Sequence, residues 1–386
     1  MKFVYSIYSE YKCMREKMKK TLTKILLLFS IFCITVSCEK EKENEKPLRL
    51  KLDEPPDLEL LNQEFIVDNN LIWLLRKNGK IWFYSLEDGT LIDTNIGINY
   101  RFTSITKDRQ NNIVACDASN NICYFNRKNK NWDIVYKSQY KVFGITFDTN
   151  NKYYLITNKG IEDIEINKIY SHKPDYGDQF DWYNKPAFIT DSQNNIWVGF
   201  DNGEWGGGLL LFDTKKKKYH TFSHNLYNPI TSIVQGNNNI YVSFGSRHEG
   251  MFSGSIVEIN IKLKARTIFE SNYSRYIDSD GNPKANKGDC ISCICYEQTE
   301  NCLYYYSQKG IFKGNINSDL SNKNYWTKII KLFPFKSKRV IRIALWNISE
   351  CKMLVLNPNK IIFISLFNPL GVYNGNNQII YSRTEN

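Results

Sequence analysis

Short apolar segments recur along the chain, separated by turns that are rich in Asp, Asn and Gly. Residues 186–213 give one example: PAFIT, a polar DSQNN turn, IWVGF, a glycine-rich connection, and LLLFD. A further short segment, YHTF at 219–222, begins with aromatic residues. Short apolar runs bounded by turn residues are typical of β-strands. Four such segments in succession predict a four-stranded antiparallel sheet.

The same arrangement occurs seven times, about once every 40 residues, which is the period of a β-propeller blade. Because one such sheet cannot cover both of its own faces, several must pack around an axis. The sequence therefore predicts an all-β, seven-bladed β-propeller of four-stranded antiparallel blades over 65–382, with six or eight blades as alternatives. The apolar segment 48–52 is a candidate strand for closing the ring with the last blade. The second strands of the copies align at Ile72, Ile113, Tyr153, Ile196, Ile240, Leu303 and Met353.

The N-terminal residues have the composition of an export signal. A basic segment that begins Met18-Lys19-Lys20 precedes an apolar run at 25–36, which is too short to span a membrane, and Ser37 and Cys38 follow. The last residues of this segment, ITVSC, are similar to a bacterial lipobox, which implies lipidation of Cys38. We expect 1–37 to be an upstream extension and signal peptide, and 38–64 a tether to the outer membrane. A plain cleaved signal peptide is the alternative.

Composition and charge narrow the function classes. The chain contains 25 Tyr and 22 Phe, which favour strands. Residues 1–37 carry six Lys, one Arg and two Glu, so their removal lowers the net charge from +11 to +6. This mildly basic balance, in an exported protein, predicts no nucleic-acid partner. The cysteines at 290–295 lack a second pair at zinc-ligand spacing, so we predict no metal site.

The fourth repeat resembles a known family. DSQNNIWVGF and GGGLLLFD are similar to the two-component regulator propeller repeat, approximately D-x-x-G-x-I-W-V-G-T followed by G-G-L-x-x-F-D. Asn194 and Phe200 stand where the family has Gly and Thr. The resemblance implies a propeller related to extracellular sensor regions of gut Bacteroidetes. The leader EKEKENEK after Cys38 is similar to surface-export signals of their lipoproteins, so we expect a lipid-anchored protein that is surface-exposed or periplasmic.

Unusually long connections predict a binding face. Two connections between second and third strands are longer than the others, at 201–208 and 245–254. The long blade-to-blade links at 171–186, 223–229 and 271–289 lie at the same end of the strands. Several long loops on one face of a protein often carry its binding or catalytic residues. The candidate ligand-binding residues on these segments are Tyr176, Asp181, Trp182, Tyr183, Glu204, Trp205, Arg247, His248 and Glu249.

Flat aromatic rings beside polar groups suit a glycan, peptide or protein partner. We expect Trp182 and Trp205 to stack on the ligand, with Arg247 and Glu204 as polar selectors. The alternative is that these aromatic rings only pack the loops onto the blades. No catalytic motif is present, so we expect a binding protein without cofactor or catalysis. We also expect a monomer. Histidines on this face leave open a lyase or hydrolase acting on a polysaccharide or lactone.

The lipobox resemblance predicts that Cys38 is acylated after cleavage at Ser37. Labelled palmitate should enter the wild-type protein and should not enter the Cys38→Ala variant. Equal labelling of the two proteins would contradict this assignment.

Overall fold

The computed structural model describes residues 62–93, 99–172, 185–202, 206–222, 228–248, 251–277, 283–330, 351–364, 370–375 and 379–381. By its internal contacts the chain divides into two compact units, Met1–Lys51 and Leu52–Asn386. Every described residue belongs to the second unit. The predicted signal segment, Cys38 and the candidate closing strand at 48–52 lie outside the described residues.

The second unit contains seven four-stranded antiparallel sheets, which are the blades of a β-propeller. The predicted fold class and blade number are therefore confirmed. Blade 1 comprises β1 (Asn62–Asp68), β2 (Leu71–Arg76), β3 (Ile81–Ser85) and β4 (Leu91–Asp93). Blade 2 comprises β5 (Phe102–Lys107), β6 (Ile113–Asp117), β7 (Asn121–Asn126) and β8 (Asn131–Lys137). Blade 3 comprises β9 (Val142–Phe147), β10 (Tyr153–Thr157), β11 (Gly160–Asp163) and β12 (Lys168–Ser171).

The remaining blades follow the same order, with one inserted hairpin. Blade 4 comprises β13 (Ala187–Thr190), β14 (Asn195–Asp201), β15 (Gly207–Asp213) and β16 (Lys218–Thr221). Blade 5 comprises β17 (Ile230–Gly236), β18 (Asn239–His248), β19 (Met251–Ile259) and β20 (Ala265–Ser271), and the hairpin of β21 (Tyr273–Ile277) and β22 (Pro283–Lys287) follows it. Blade 6 comprises β23 (Ile291–Glu297), β24 (Cys302–Ser307), β25 (Gly310–Asn315), a 3-10 turn (Lys323–Tyr325) and β26 (Thr327–Ile330). Blade 7 comprises β27 (Lys352–Asn357), β28 (Lys360–Ile364), β29 (Gly371–Tyr373) and β30 (Ile379–Tyr381).

The first strand of each blade stands nearest the central axis. These innermost strands contact one another in succession, β1 with β5, β5 with β9, and onward to β23 with β27. Their N-terminal ends lie on the face that carries the blade-to-blade links and the second-to-third-strand connections, which we call the link face. Their C-terminal ends lie on the opposite face, which we call the turn face. Within the described ranges, no helix is long and apolar enough to cross a membrane.

The hydrophobic cores lie between neighbouring blades. Trp197 and Leu211 of blade 4 pack with Val242 and Ile259 of blade 5, for example. The ring is closed in the same way: Ile72, Leu74 and Tyr84 of blade 1 pack with Ile362, Ile364, Leu370 and Val372 at blade 7. Blade 7 takes its four strands from the last part of the chain. The join between the first and last blades described here is therefore a hydrophobic contact between complete sheets.

Asparagine links the turns of adjacent blades. In six blades the turn between the first two strands contains an Asn with a left-handed backbone, and Asn194 has φ +69°. Asn tolerates this conformation better than most residues with a side chain. The Asn194 Oδ1 accepts a hydrogen bond of 2.7 Å from the Thr149 N–H of the preceding blade, and Asn151 accepts one of 2.9 Å from Arg109 N–H. Glycine, which the resembled family has at 194, would fit the turn but could not make this bond.

The alignment of the last repeat is wrong. Met353 was predicted on a second strand, but it lies on β27, the innermost strand of blade 7. The apolar strands of a blade are similar in length and composition, and the first turn of blade 7, at 358–359, is as short as the second turns of blades 3 and 6, at 158–159 and 308–309. One strand can therefore be mistaken for the next when only sequence is compared. As a consequence, the link into blade 7 spans 331–351, longer than the link into blade 4 at 172–186.

Replacing Asn194 should separate its two contributions to stability, which are the left-handed backbone of the turn and the hydrogen bond to blade 3. Asn194→Gly keeps the turn but removes the cross-blade hydrogen bond, so the free energy of unfolding should fall by about 1 kcal/mol. Asn194→Ala should cost about 2 kcal/mol, because alanine also resists a left-handed backbone. Urea unfolding measures both effects.

The control is Lys130→Gly at another left-handed turn position, φ +52°. Lys130 is exposed, and its replacement should leave the stability unchanged or raise it. Wild-type stability in Asn194→Gly would show that the cross-blade bond contributes nothing.

Candidate functional site

The segment 245–254 forms the end of a hairpin. Strands β18 and β19 stay paired through Gly245 with Gly254 and as far as His248 with Met251. Most of the connection predicted at 245–254 is therefore strand, and only 249–250 lie between β18 and β19. Arg247 and His248 lie on β18 at the link-face end of this hairpin, and Glu249 lies outside the described residues.

A pair of glycines permits this hairpin to lie against blade 6. A Cβ atom at Gly245 would come within 2.3 Å of the Ile291 carbonyl oxygen, and one at Gly254 within 2.4 Å of the Asp289 carbonyl oxygen. Such distances are too short for any side chain, so only glycine allows the two backbones to approach. The lengthened hairpin of blade 5 is thus supported along its base by the first residues of blade 6.

The link into blade 6 also has regular structure. Strands β21 and β22 pair from Tyr273 with Lys287 to Ile277 with Pro283, and both contact β19. At their base, a Cβ atom on Gly288 would lie 2.1 Å from the Phe252 carbonyl oxygen. Two hairpins therefore stand side by side on the link face.

The other predicted ligand-binding residues lie outside the described residues. At 203–205 the flanking backbone is closed by a hydrogen bond of 2.8 Å from the Asn202 N–H to the Gly206 oxygen. Asp201 and Gly207 pair immediately before and after it. These undescribed residues are Tyr176, Asp181, Trp182, Tyr183, Glu204 and Trp205, together with Glu249.

A polar cluster lies where the central channel opens on the link face. The Lys185 Nζ, two residues before β13, is 2.9 Å from the Glu64 Oε2 on β1 and 3.2 Å from the Ser104 Oγ on β5. The Ser104 hydroxyl donates to the same Glu64 oxygen at 3.1 Å, and the Ile105 N–H donates to it at 3.0 Å. Blades 1 and 4 are not neighbours in the ring, so Lys185 reaches across the axis.

The charges of this cluster favour ionised Glu64. Burial by itself would raise the pKa of Glu64, but the positive charges of Lys185 and Lys352 and the Ile105 N–H outweigh it, and the pKa lies below its usual 4.5. Lys352 is the first residue of β27 and is half-buried. Within the described part of the chain, its ammonium group has no ion-pair partner within 4.0 Å. Among the described residues, the cluster therefore sets two ammonium groups against one carboxylate.

The sequence analysis did not identify Glu64, Ser104, Lys185 or Lys352. One signal was available: Glu64 directly precedes the apolar residues 65–67 of the strand NQEFIVD, and a charge that is buried with such residues requires a partner. The partner itself could not be found from sequence, because Lys185 is 121 positions away.

Histidines and cysteines provide little reactive chemistry in the described residues. His172 follows the outermost strand of blade 3, and its ring packs edge-on against Tyr219 with centroids 5.0 Å apart. His220 lies on β16, the outermost strand of blade 4. The seven described cysteines, from Cys116 to Cys351, form no disulfide with one another, and six of them are buried. Burial raises the pKa of Cys116 to about 12, which makes its thiolate scarce at neutral pH.

No protein-family model matches the sequence, and no curated protein matches it significantly. Among solved structures, it is similar to hydrazine synthase from Kuenenia stuttgartiensis, with TM-score 0.56 and 11% identity over 86% of this chain and 100% of that chain. It is also similar to virginiamycin B lyase from Staphylococcus aureus, with TM-score 0.50 and 14% identity over 80% of this chain and 93% of that chain.

A third solved structure bears on the resemblance of the repeat. The extracellular domain assigned to a one-component system from B. thetaiotaomicron has TM-score 0.40 and 12% identity over 84% of this chain and 46% of that chain. That TM-score is too low to support an argument about this protein. At such identities, the other two similarities show the propeller fold alone.

The Glu64 carboxylate should make the stability depend on pH. Its folded-state pKa is lowered from 4.5, so it stabilises the fold fully above about pH 4.5, and this contribution is lost as the pH falls through the folded-state value. Glu64→Gln should therefore be less stable than wild type at pH 7, and the difference should shrink on acidification.

Urea unfolding between pH 7 and pH 3 measures this difference. Glu87→Gln is the control, because Glu87 is exposed in the turn after β3 and its replacement should change little at any pH. A difference between wild type and Glu64→Gln that stays constant with pH would contradict the assignment.

Proposed function

We propose that the protein is an exported, lipid-anchored β-propeller that binds a glycan, peptide or protein partner on its link face. The observation that carries this proposal is that the chain is enlarged mainly on that face. The links into blades 4, 6 and 7 and the β18–β19 hairpin all extend there. On the turn face most connections are short, such as those at 69–70, 237–238 and 358–359.

The turn face is occupied by structural contacts. Asp191 Oδ1 accepts hydrogen bonds from the N–H groups of Gln193 and Asn195 at 2.9 and 2.8 Å. The Asn194 side chain bonds to the neighbouring blade. Additional residues on that face would disturb bonds that hold the ring together. Extra chain is accommodated more easily on the link face, where it also surrounds the open end of the channel.

The proposed ligand surface combines the aromatic residues predicted at 176–183 and 205 with two hairpins, β18–β19 of blade 5 and β21–β22 in the link into blade 6. Anchoring through Cys38 would place this surface outside the cytoplasm, which fits the resemblance of the fourth repeat to extracellular sensor propellers. A lyase remains the second hypothesis, but only similarity of fold to virginiamycin B lyase supports it. Of the three described histidines, His172 and His220 lie on or next to outermost strands, whereas His248 lies at the link-face end of β18.

Binding should be tested on glycan and peptide arrays with the full chain. Trp205→Ala should weaken binding of the selected ligand by about 1 to 3 kcal/mol, because an aromatic anchor loses its contact area. The melting temperature should stay nearly unchanged if the ring is exposed. Tyr325→Ala is a matched control: Tyr325 is 51% exposed, in the 3-10 turn on the turn face.

Unchanged binding by Trp205→Ala would contradict the proposed contact surface. A fall of many degrees in its melting temperature would show instead that Trp205 packs against the blades. Turnover of the selected ligand by the wild-type protein would favour the lyase or hydrolase hypothesis.

A further inference from the structure

Basic residues stand at the link-face ends of several innermost strands. Arg101 directly precedes β5, Lys141 directly precedes β9, Lys185 lies two residues before β13, and Lys352 begins β27. The N-terminal ends of four of the seven innermost strands therefore carry a cation. Asp289 lies two residues before β23, and its Oδ1 is 2.7 Å from the Lys309 Nζ, so its charge is already paired.

The opposite ends of the innermost strands are acidic. Five of them end in, or are followed by, a carboxylate: Asp68, Asp108, Asp148, Asp191 and Glu297. A six-residue strand is about 20 Å long, so these carboxylates are distant from the basic residues. Most of them also accept hydrogen bonds from the N–H groups of the turns that follow, as Asp108 does from Gln110 and Asn112. Among the described residues, the link-face opening of the channel therefore carries an excess of positive charge, which attracts anions.

Within this opening, the described cluster sets one carboxylate, Glu64, against two ammonium groups, Lys185 and Lys352. One Glu64 oxygen already receives hydrogen bonds from Ser104, Ile105 and Lys185. Lys352 is half-buried and has no ion-pair partner among the described residues. A cation that has lost part of its hydration gains more from an incoming anion than a fully exposed one does. The cluster is therefore suited to one anionic group.

The channel wall provides hydrogen-bonding groups of both kinds. Each innermost strand pairs with a neighbour on one side only, so backbone N–H and C=O groups on its other edge are directed toward the axis. Hydroxyl groups can both donate and accept hydrogen bonds, so they match such an edge. Lys185 crosses the opening, which favours a small terminal group over a chain that passes through the ring.

We propose that the link-face opening of the channel binds the carboxylate of a small hydroxylated acid, such as a sugar acid. Lys352 is its principal cationic partner, and Lys185, held by Glu64, is the second. This inference rests on the proposed binding role of the link face and specifies the chemical class of the ligand.

Isothermal titration of the full chain with D-galacturonate, and with D-galactose as the neutral match, tests the proposal. Galacturonate should bind at least tenfold more tightly than galactose. Lys352→Gln should weaken its binding about tenfold or more, as expected for loss of a charge-assisted hydrogen bond. Lys352→Arg should retain binding, and added salt should weaken it. Lys137→Gln, at the end of the outermost strand of blade 2, makes the same charge change away from the channel and should have no effect.

Three results would overturn the proposal: equal binding of galactose, unchanged binding by Lys352→Gln, or binding of acetyl-dialanine in place of galacturonate. The melting temperature of Lys352→Gln should stay close to that of wild type, because the ion pair of Lys185 with Glu64 remains. If Trp205→Ala weakens an array ligand while Lys352→Gln does not, the link face binds a ligand of another class. If neither variant affects an array ligand, the proposed binding face is itself wrong.

Discussion

Each blade of this protein needs an apolar neighbour on both of its faces, and the structure depends on this requirement. A four-stranded sheet with two apolar faces is stable only when both are covered. Every blade therefore packs between two others, and the first must meet the last. The contact of Ile72 and Leu74 with Ile362 and Ile364 closes the ring. Because that contact joins complete sheets, one face of the first blade is covered only when the seventh blade is in place.

Polar contacts add precision to this hydrophobic ring. The bond from Thr149 to Asn194 joins the turns of blades 3 and 4, and Arg109 to Asn151 does the same for blades 2 and 3. Hydrophobic packing is non-directional, so these bonds help to set how each blade is positioned against the next. These bonds occupy the turns of the turn face. Long links and hairpins that do not take part in the blade-to-blade contacts can therefore be accommodated on the link face.

The ion pair of Lys185 with Glu64 differs from these contacts because it joins blades that are not neighbours. Their side chains are 26% and 18% exposed, respectively, so water screens the pair only partly. It holds the entrance of the channel in one arrangement and fixes the distance across it. A scaffold of rigid blades with polar groups at one opening is the general form of a preorganised binding site. The β18–β19 and β21–β22 hairpins, whose bases pack closely because they contain glycine, stand at the same end of the blades.

The repeat of strands and turns was readable from the sequence because it depends on local order. Short apolar runs, Asp and Asn in the turns, and a period near 40 residues are properties of neighbouring positions, and they predicted the fold and the number of blades. Local similarity assigned Met353 to the wrong strand of its blade, because consecutive strands of one blade have similar sequences. It also did not show the strand pairing within 245–254, which depends on how closely Gly245 and Gly254 approach residues 289–291. Only the closed ring brings Glu64 to Lys185, since their meeting depends on the angle through which three successive blades turn the chain, and no local pattern encodes that angle.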